Sequence, residues 1–265
     1  MTYTHPVITV HPDRRLAWTM LDVGADGRLQ VDVRSGENAR FCVVLPAQGD
    51  TVLEVNVAEQ ASCDLVTLQE GGAGAVHATG TVAADGALRW RPVTIGGTVR
   101  HEIRSTCVGD RAMSEARWIV VARGGEYPKA IIRNVFEARN GAGEVAMRAV
   151  ALAKGQALLD GRIEIGLGGG GTQTYLTQEA LMLDASAKID AIPGLEIKTN
   201  DVKASHSATV SRVNPEDIFY AGSRGIAPDA ARRLLVEGFL GKLLDGIGDE
   251  GIREDLLIRV IAAAQ

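Results

Sequence analysis

The chain has 265 residues, enough for one large domain or two small ones. Apolar residues make up 46% and charged residues 23%, which supports a packed core and excludes wholesale disorder. The formal net charge of −5 argues against a general nucleic-acid binder, which would carry a basic excess.

Met1 to Val10 has no basic segment followed by an apolar run, so no secretory leader is read there. The apolar runs are far too short for a membrane span. Cys42, Cys63 and Cys107 contain no Cys-x-x-Cys pair, which excludes a cysteine-rich zinc site or a dithiol redox motif. Their spacing is that of one and then two coils of a solenoid, so they could form a column on stacked coils. The plainer expectation is three small core residues.

From Arg28 to Ile165 short alternating or apolar runs recur, such as Leu29–Val33, Leu65–Leu68 and Ile119–Ala122. Turns rich in Gly, Asp and Asn separate them, among them Ala84-Asp85-Gly86 and Asn140-Gly141-Ala142-Gly143. This predicts an all-β body, as a sandwich, a barrel or a β-solenoid. Aromatics at 4% and 31 glycines favour the solenoid, with coils of about 20 to 25 residues.

Gly166-Leu167-Gly168-Gly169-Gly170-Gly171 contains a Gly-x-Gly-x-x-Gly pattern, with Asp184 and Asp190 at the distance of a ribose ligand. The following Thr172–Thr177 is a poor helix start, so a glycine loop is the better reading. Glu196, Lys198, Asp201 and Lys203 read as a solvated strand face. His77, His101 and Glu102 have no metal-ligand spacing. His206 lies near serines and an acid, but no Gly-x-Ser-x-Gly elbow exists and triads assemble from distant segments. Its neutral imidazole could ligate iron or zinc, and alone it is more often structural.

After Asn214-Pro215 the period changes. Val236, Phe239, Leu240, Leu243, Leu244 and Ile247 form one helix face, started by Pro228 and Asp229 and ended by Gly246 and Gly248. Ile252, Leu256, Leu257, Val260 and Ile261 mark a second helical segment. The expected division is a β-body over 1–214 and a helical segment over 215–265. Removal of 228–265 is expected to leave the β-body folded.

The stretch from Ala187 to Val210 includes Pro193-Gly194-Leu195-Glu196-Ile197 and Asp201-Val202-Lys203-Ala204-Ser205-His206. It continues in Phe219-Tyr220 and Ser223-Arg224-Gly225-Ile226. In order and spacing this closely resembles the core domain of the SufB/SufD family of iron–sulfur cluster assembly proteins. Before about Asn134 the resemblance is architectural only. It implies an all-β right-handed parallel β-helix with a short C-terminal helical segment. It implies a cytoplasmic, non-enzymatic subunit that pairs as a homodimer or with a SufB-like subunit. It also implies a SufC-like ABC ATPase docked on 215–265, through Phe219, Tyr220, Arg224, Leu235, Phe239, Leu240 and Leu243. No nucleic-acid or membrane partner is expected.

Strand-like text begins close to the N-terminus, where larger members carry a helical domain, so that domain is expected to be absent. The family's cysteine positions hold Ala187 and Ala204, and Ser207 follows the matching His206. A thiolate is the usual cluster ligand and sulfur acceptor, and alanine can be neither. The expectation is therefore a SufD-like partner, with His206 as one ligand of a transient iron–sulfur cluster at a dimer interface. The alternatives are a platform that never contacts iron and, further off, a carbohydrate-active β-helix enzyme.

Overall fold

A computed structural model describes residues 7–9 and 18–265, with side chains from Trp18 onward. The reading of Met1–Val10 as free of a leader falls largely outside the described residues. Strands alternate between two parallel eight-stranded sheets. One sheet stacks β1 (Val7–Thr9), β3 (Arg28–Val33), β5 (Thr51–Val57), β7 (Ala73–Val82), β9 (Thr98–Cys107), β11 (Lys129–Phe136), β13 (Gln156–Ile165) and β15 (Lys188–Ile197). The other stacks β2 (Thr19–Leu21), β4 (Asn38–Val44), β6 (Ser62–Glu70), β8 (Ala87–Ile95), β10 (Met113–Arg123), β12 (Ala142–Leu152), β14 (Gln173–Met182) and β16 (Lys203–Arg212). The molecule is a flattened parallel β-helix, the solenoid among the three architectures left open by the strand pattern.

The coil lengthens along the chain. Gln30 stands beside Glu54 in the early coils, and Arg162 beside Gly194 in the last. The coil length expected from the composition holds only for the first coils. Later coils carry longer strands and a longer glycine turn.

Inward side chains of both sheets form one core. In β9, Val99, His101, Ile103, Ser105 and Cys107 are buried, while Arg100 and Arg104 face solvent. Trp90 and Trp118 lie wholly inside, where burial of an indole N–H requires a partner. Trp90 Nε1 donates to Ser105 Oγ at 3.2 Å, and Trp118 Nε1 to Thr94 Oγ1 at 3.1 Å.

Turns between the sheets stack as a ladder of left-handed residues: Gln60, Asp85, Arg111, Asn140 and Gly171. Each donates its backbone N–H to a carbonyl of the next coil, as in Gln60 to Ala84 at 3.0 Å and Asn140 to Gly170 at 2.9 Å. The turn residues that punctuate the sequence therefore carry a hydrogen-bonded column.

Three helices follow: α1 (Pro215–Ser223), α2 (Pro228–Leu244) and α3 (Glu250–Ala263). Asn214 caps α1, its Oδ1 accepting from Glu216 N at 3.0 Å, with Pro215 at the first helical position. Asp249 caps α3 through Ile252 N at 3.0 Å. The hairpin of α2 and α3 lies on the outer face of the β2–β16 sheet. Val236, Leu240, Leu243, Leu256 and Val260 form a second core there with Cys42, Val66, Leu68, Val93, Ile119 and Val150. This shared core argues against the expectation that the β-body stays folded when 228–265 is removed. The outer row of the sheet is apolar and needs its cover.

Candidate functional site

Two regions hold the residues singled out from the sequence: the last coil of the β-helix and the helices.

The last coil is β15 and β16. Each has ten residues, and each pairs on one side only. The register sets Ala204, His206, Ala208 and Val210 over Thr174, Leu176, Gln178 and Ala180, which are inward-facing and buried. Across the coil, Ala191, Leu195 and Ile197 stand over Leu159, Ile163 and Ile165. This layer continues the pattern of the core, yet no further coil covers it. Ile197 is 41% exposed and Val210 48%. Pro193 sits in the edge strand β15, a position where a missing N–H is tolerated.

His206 is exposed on β16, two residues beyond Ala204 on the same face. Ala187 is buried at the entry to β15 and joins the inner core. No group of three or more His, Cys, Asp or Glu side chains among the described residues is placed to hold a metal ion. His206 is therefore a lone imidazole on an open apolar layer. On β15 and the turn after it, Glu196 pairs with Lys198 at 3.0 Å and Lys188 with Asp190 at 3.0 Å. Glu196, Lys198, Asp201 and Lys203 are exposed, but they share no strand face: Lys198 and Asp201 lie in the turn between β15 and β16.

The helical residues divide by face. No residue of α1 is buried, and Phe219 is 80% exposed and Tyr220 62%. Arg224 lies over the Tyr220 ring at 5.5 Å, and its Nη2 donates to Tyr220 Oη at 3.3 Å. Leu235 is partly exposed, and its neighbour Leu234 more so. Phe239 is half-buried under the guanidinium of Arg148. Leu240 and Leu243 face the chain's own sheet and are spent in the second core. The outward set is thus Phe219, Tyr220, Arg224, Leu234 and Leu235.

The family model described as SUF system FeS cluster assembly, SufBD core domain, matches residues 22–239. The chain belongs to the SufB/SufD family. SufD of Escherichia coli K12 is 36% identical over 107 residues, covering 40% of this chain and 25% of that protein. SufD of Bacillus subtilis 168 is 28% identical over 161 residues, covering 61% and 37%. A SufBD family protein of Synechocystis is 26% identical over 206 residues, covering 76% and 46%. The chain spans less than half the length of these SufBD relatives.

Other candidates resolve within this SufBD core. The glycine run forms the turn between β13 and β14, not a helix start. A Cβ on Gly168 would come within 2.2 Å of the Glu137 carbonyl, and Gly171 has φ +80°. Close stacking of coils therefore demands the glycines. Asp184 is held in a turn by the N–H groups of Ala153 and Ser186, which lower its carboxyl pKa. His77 Nδ1 lies 3.3 Å from Glu102 on the exposed sheet face.

The cysteines form no column. Cys42 lies on the outer face of β4 under the hairpin, while Cys63 and Cys107 lie inside, on opposite sheets. Burial pushes the Cys42 thiol up to about 11 and the Cys107 thiol up to about 12, and drives Cys63 higher. All three are protonated, buried thiols at neutral pH, which is the plainer reading of the sequence.

The sequence reasoning missed Leu234 and the arginines that hold the hairpin. Leu234 precedes the inward stripe and adjoins Leu235, a signal for a second apolar face on α2. Arg117 and Arg148 carried no local signal.

Proposed function

We propose that this chain is a SufD-like, non-enzymatic subunit of a SUF assembly complex. It pairs through its last coil and docks a SufC-like ABC ATPase through the outward face of α1 and α2. His206 supplies one ligand to a cluster carried between paired chains, and the other ligands come from the second chain.

The observation that carries this reading is the open last coil. Two ten-residue edges and an inward-patterned apolar layer lie uncovered, with an exposed imidazole in that layer. Long exposed edges are normally blunted or covered, so this one calls for a partner. The docking half is supported by Phe219 and Tyr220, large aromatic side chains on a helix with no buried residue. An ATPase that closes on nucleotide would move these helices as a two-state element.

A second reading is favoured by Ala187, Ala204 and the three inert thiols: a platform that pairs and docks without touching iron. One co-expression experiment with an ABC ATPase and a SufB-like subunit separates the two. His206→Ala should lower iron and sulfide content with the ATPase still bound. Phe219→Asp should lower ATPase recovery at unchanged folding. Unaltered cluster content in His206→Ala establishes the platform reading. Full ATPase recovery with Phe219→Asp removes the docking face.

A further inference from the structure

Arg148 stands on β12 with its side chain 15% exposed. Its Nη1 donates to the carbonyl of Phe239 in α2, and its Cζ lies 5.2 Å from the Phe239 ring centre. Its Nε and Nη2 are both 2.6 Å from Glu179 Oε2 on β14. Glu179 is in register with Arg148 on one side and with Thr209 of β16 on the other. One guanidinium therefore joins the body of a helix to β14, whose Glu179 stands in register beside Thr209 of the edge strand β16.

The other polar clamps reach elsewhere. Arg117 of β10 donates to the Asp245 carbonyl at the end of α2, at 2.9 Å. Arg259 of α3 pairs with Glu70 of β6 at 2.8 Å. Leu181 and Leu183 also meet the hairpin core from β14 and its following turn, but only through apolar contact. Apolar contacts are non-directional and can slide, whereas a planar, forked guanidinium fixes its partners in position. A charge this buried also resists losing either partner.

We propose that Arg148 is a positioning residue that couples the seating of α2 to the order of β14 and β16. Its use in assembly rests on the function proposed above, where the ATPase loads the helices and His206 lies on β16. The coupling itself is a property of this chain alone, so it is tested without the ATPase. A failed docking experiment would leave this result readable, and the reverse holds too.

The test is a double-mutant cycle read by hydrogen exchange on the full chain. Val236→Ala loosens α2 from a buried position that makes no polar contact with Arg148. In the native background it should speed exchange of peptides spanning 203–213 by about fivefold, the effect of about 1 kcal/mol. In an Arg148→Met background, which keeps the apolar stem, adding Val236→Ala should change those peptides by less than about twofold while α2 still loosens. Arg117→Met should loosen α2 and leave the cycle at β16 intact. Equal acceleration in both backgrounds, or none at β16 in either, overturns the proposal. If Arg148→Met does not fold, Arg148→Lys keeps the charge and loses the fork, and serves in the same cycle.

Discussion

His101 is a polar ring buried in the core without compensation. It is 1% exposed, packs edge-on to Trp118 at 4.8 Å, and neither ring nitrogen meets a hydrogen-bond partner. Burial lowers its pKa from 6.5 to about 3. The unfolded chain therefore binds a proton between those values and the folded chain does not. Stability from this residue is complete above pH 6.5 and is lost as pH falls, by about 1.4 kcal/mol per unit. Between about pH 7.5 and pH 5 the native chain should lose about 2 kcal/mol more than His101→Leu, measured by urea unfolding. Equal losses in the two proteins would show that the imidazole titrates freely. Strand alternation already puts His101 on the face of Val99 and Ile103. Its missing partners depend on what the opposite sheet brings, which no local pattern states.

At the scale of elements, the turns were the most legible feature. Gly, Asp and Asn marked them because left-handed backbone favours those residues. Gln60 and Arg111 are the exceptions in the ladder, at φ 56° and 58° and both exposed. Gln60→Gly should be neutral or stabilising by up to about 1 kcal/mol, while Gln60→Val should cost about 1–2 kcal/mol, since a branched Cβ clashes there. Equal urea midpoints for the two variants would argue against a strained ladder. The repeat itself escaped detection because coil length drifts, from the spacing of Gln30 and Glu54 to the wider spacing of Arg162 and Gly194, so no fixed period exists. The hairpin left its print in the strands it covers. Trp118-Ile119-Val120-Val121-Ala122 is a continuous apolar run because β10 is buried on both faces, unlike the alternating β9. The helix periods at 236–247 and 252–261 were legible, but their partner was not. A chain ending at residue 227 should consequently aggregate, or bind a dye for exposed apolar surface, rather than persist as a folded β-body. A soluble monomer with native circular dichroism would contradict the shared core.

At the scale of the molecule, the C-terminal end of the β-helix is open. The C-terminal end is the last coil of β15 and β16, of ten residues each, with each strand paired on one side only among the described residues. Under the pairing proposed above, long edges open on one side would meet in a two-fold contact of last coil with last coil. Val210→Asp places a charge in that layer at an already exposed site. It should move the chain toward monomer in light scattering, with urea stability changed by less than about 0.5 kcal/mol. A monomeric native chain that also fails to pair with a SufB-like subunit would remove the last coil as an interface.

The sequence by itself determined the turn chemistry, the helix periods and the family motifs of the last coil, because each depends on residues close along the chain. The tertiary structure decided which apolar helix face is consumed at home and which is left for a partner. It also decided that three cysteines are inert and that Arg148 links α2 to β14. Those outcomes depend on meetings between successive coils, such as Arg162 beside Gly194, and on helices folding back over much earlier strands, as Phe239 does over Arg148. Across such separations no local pattern constrains the contact.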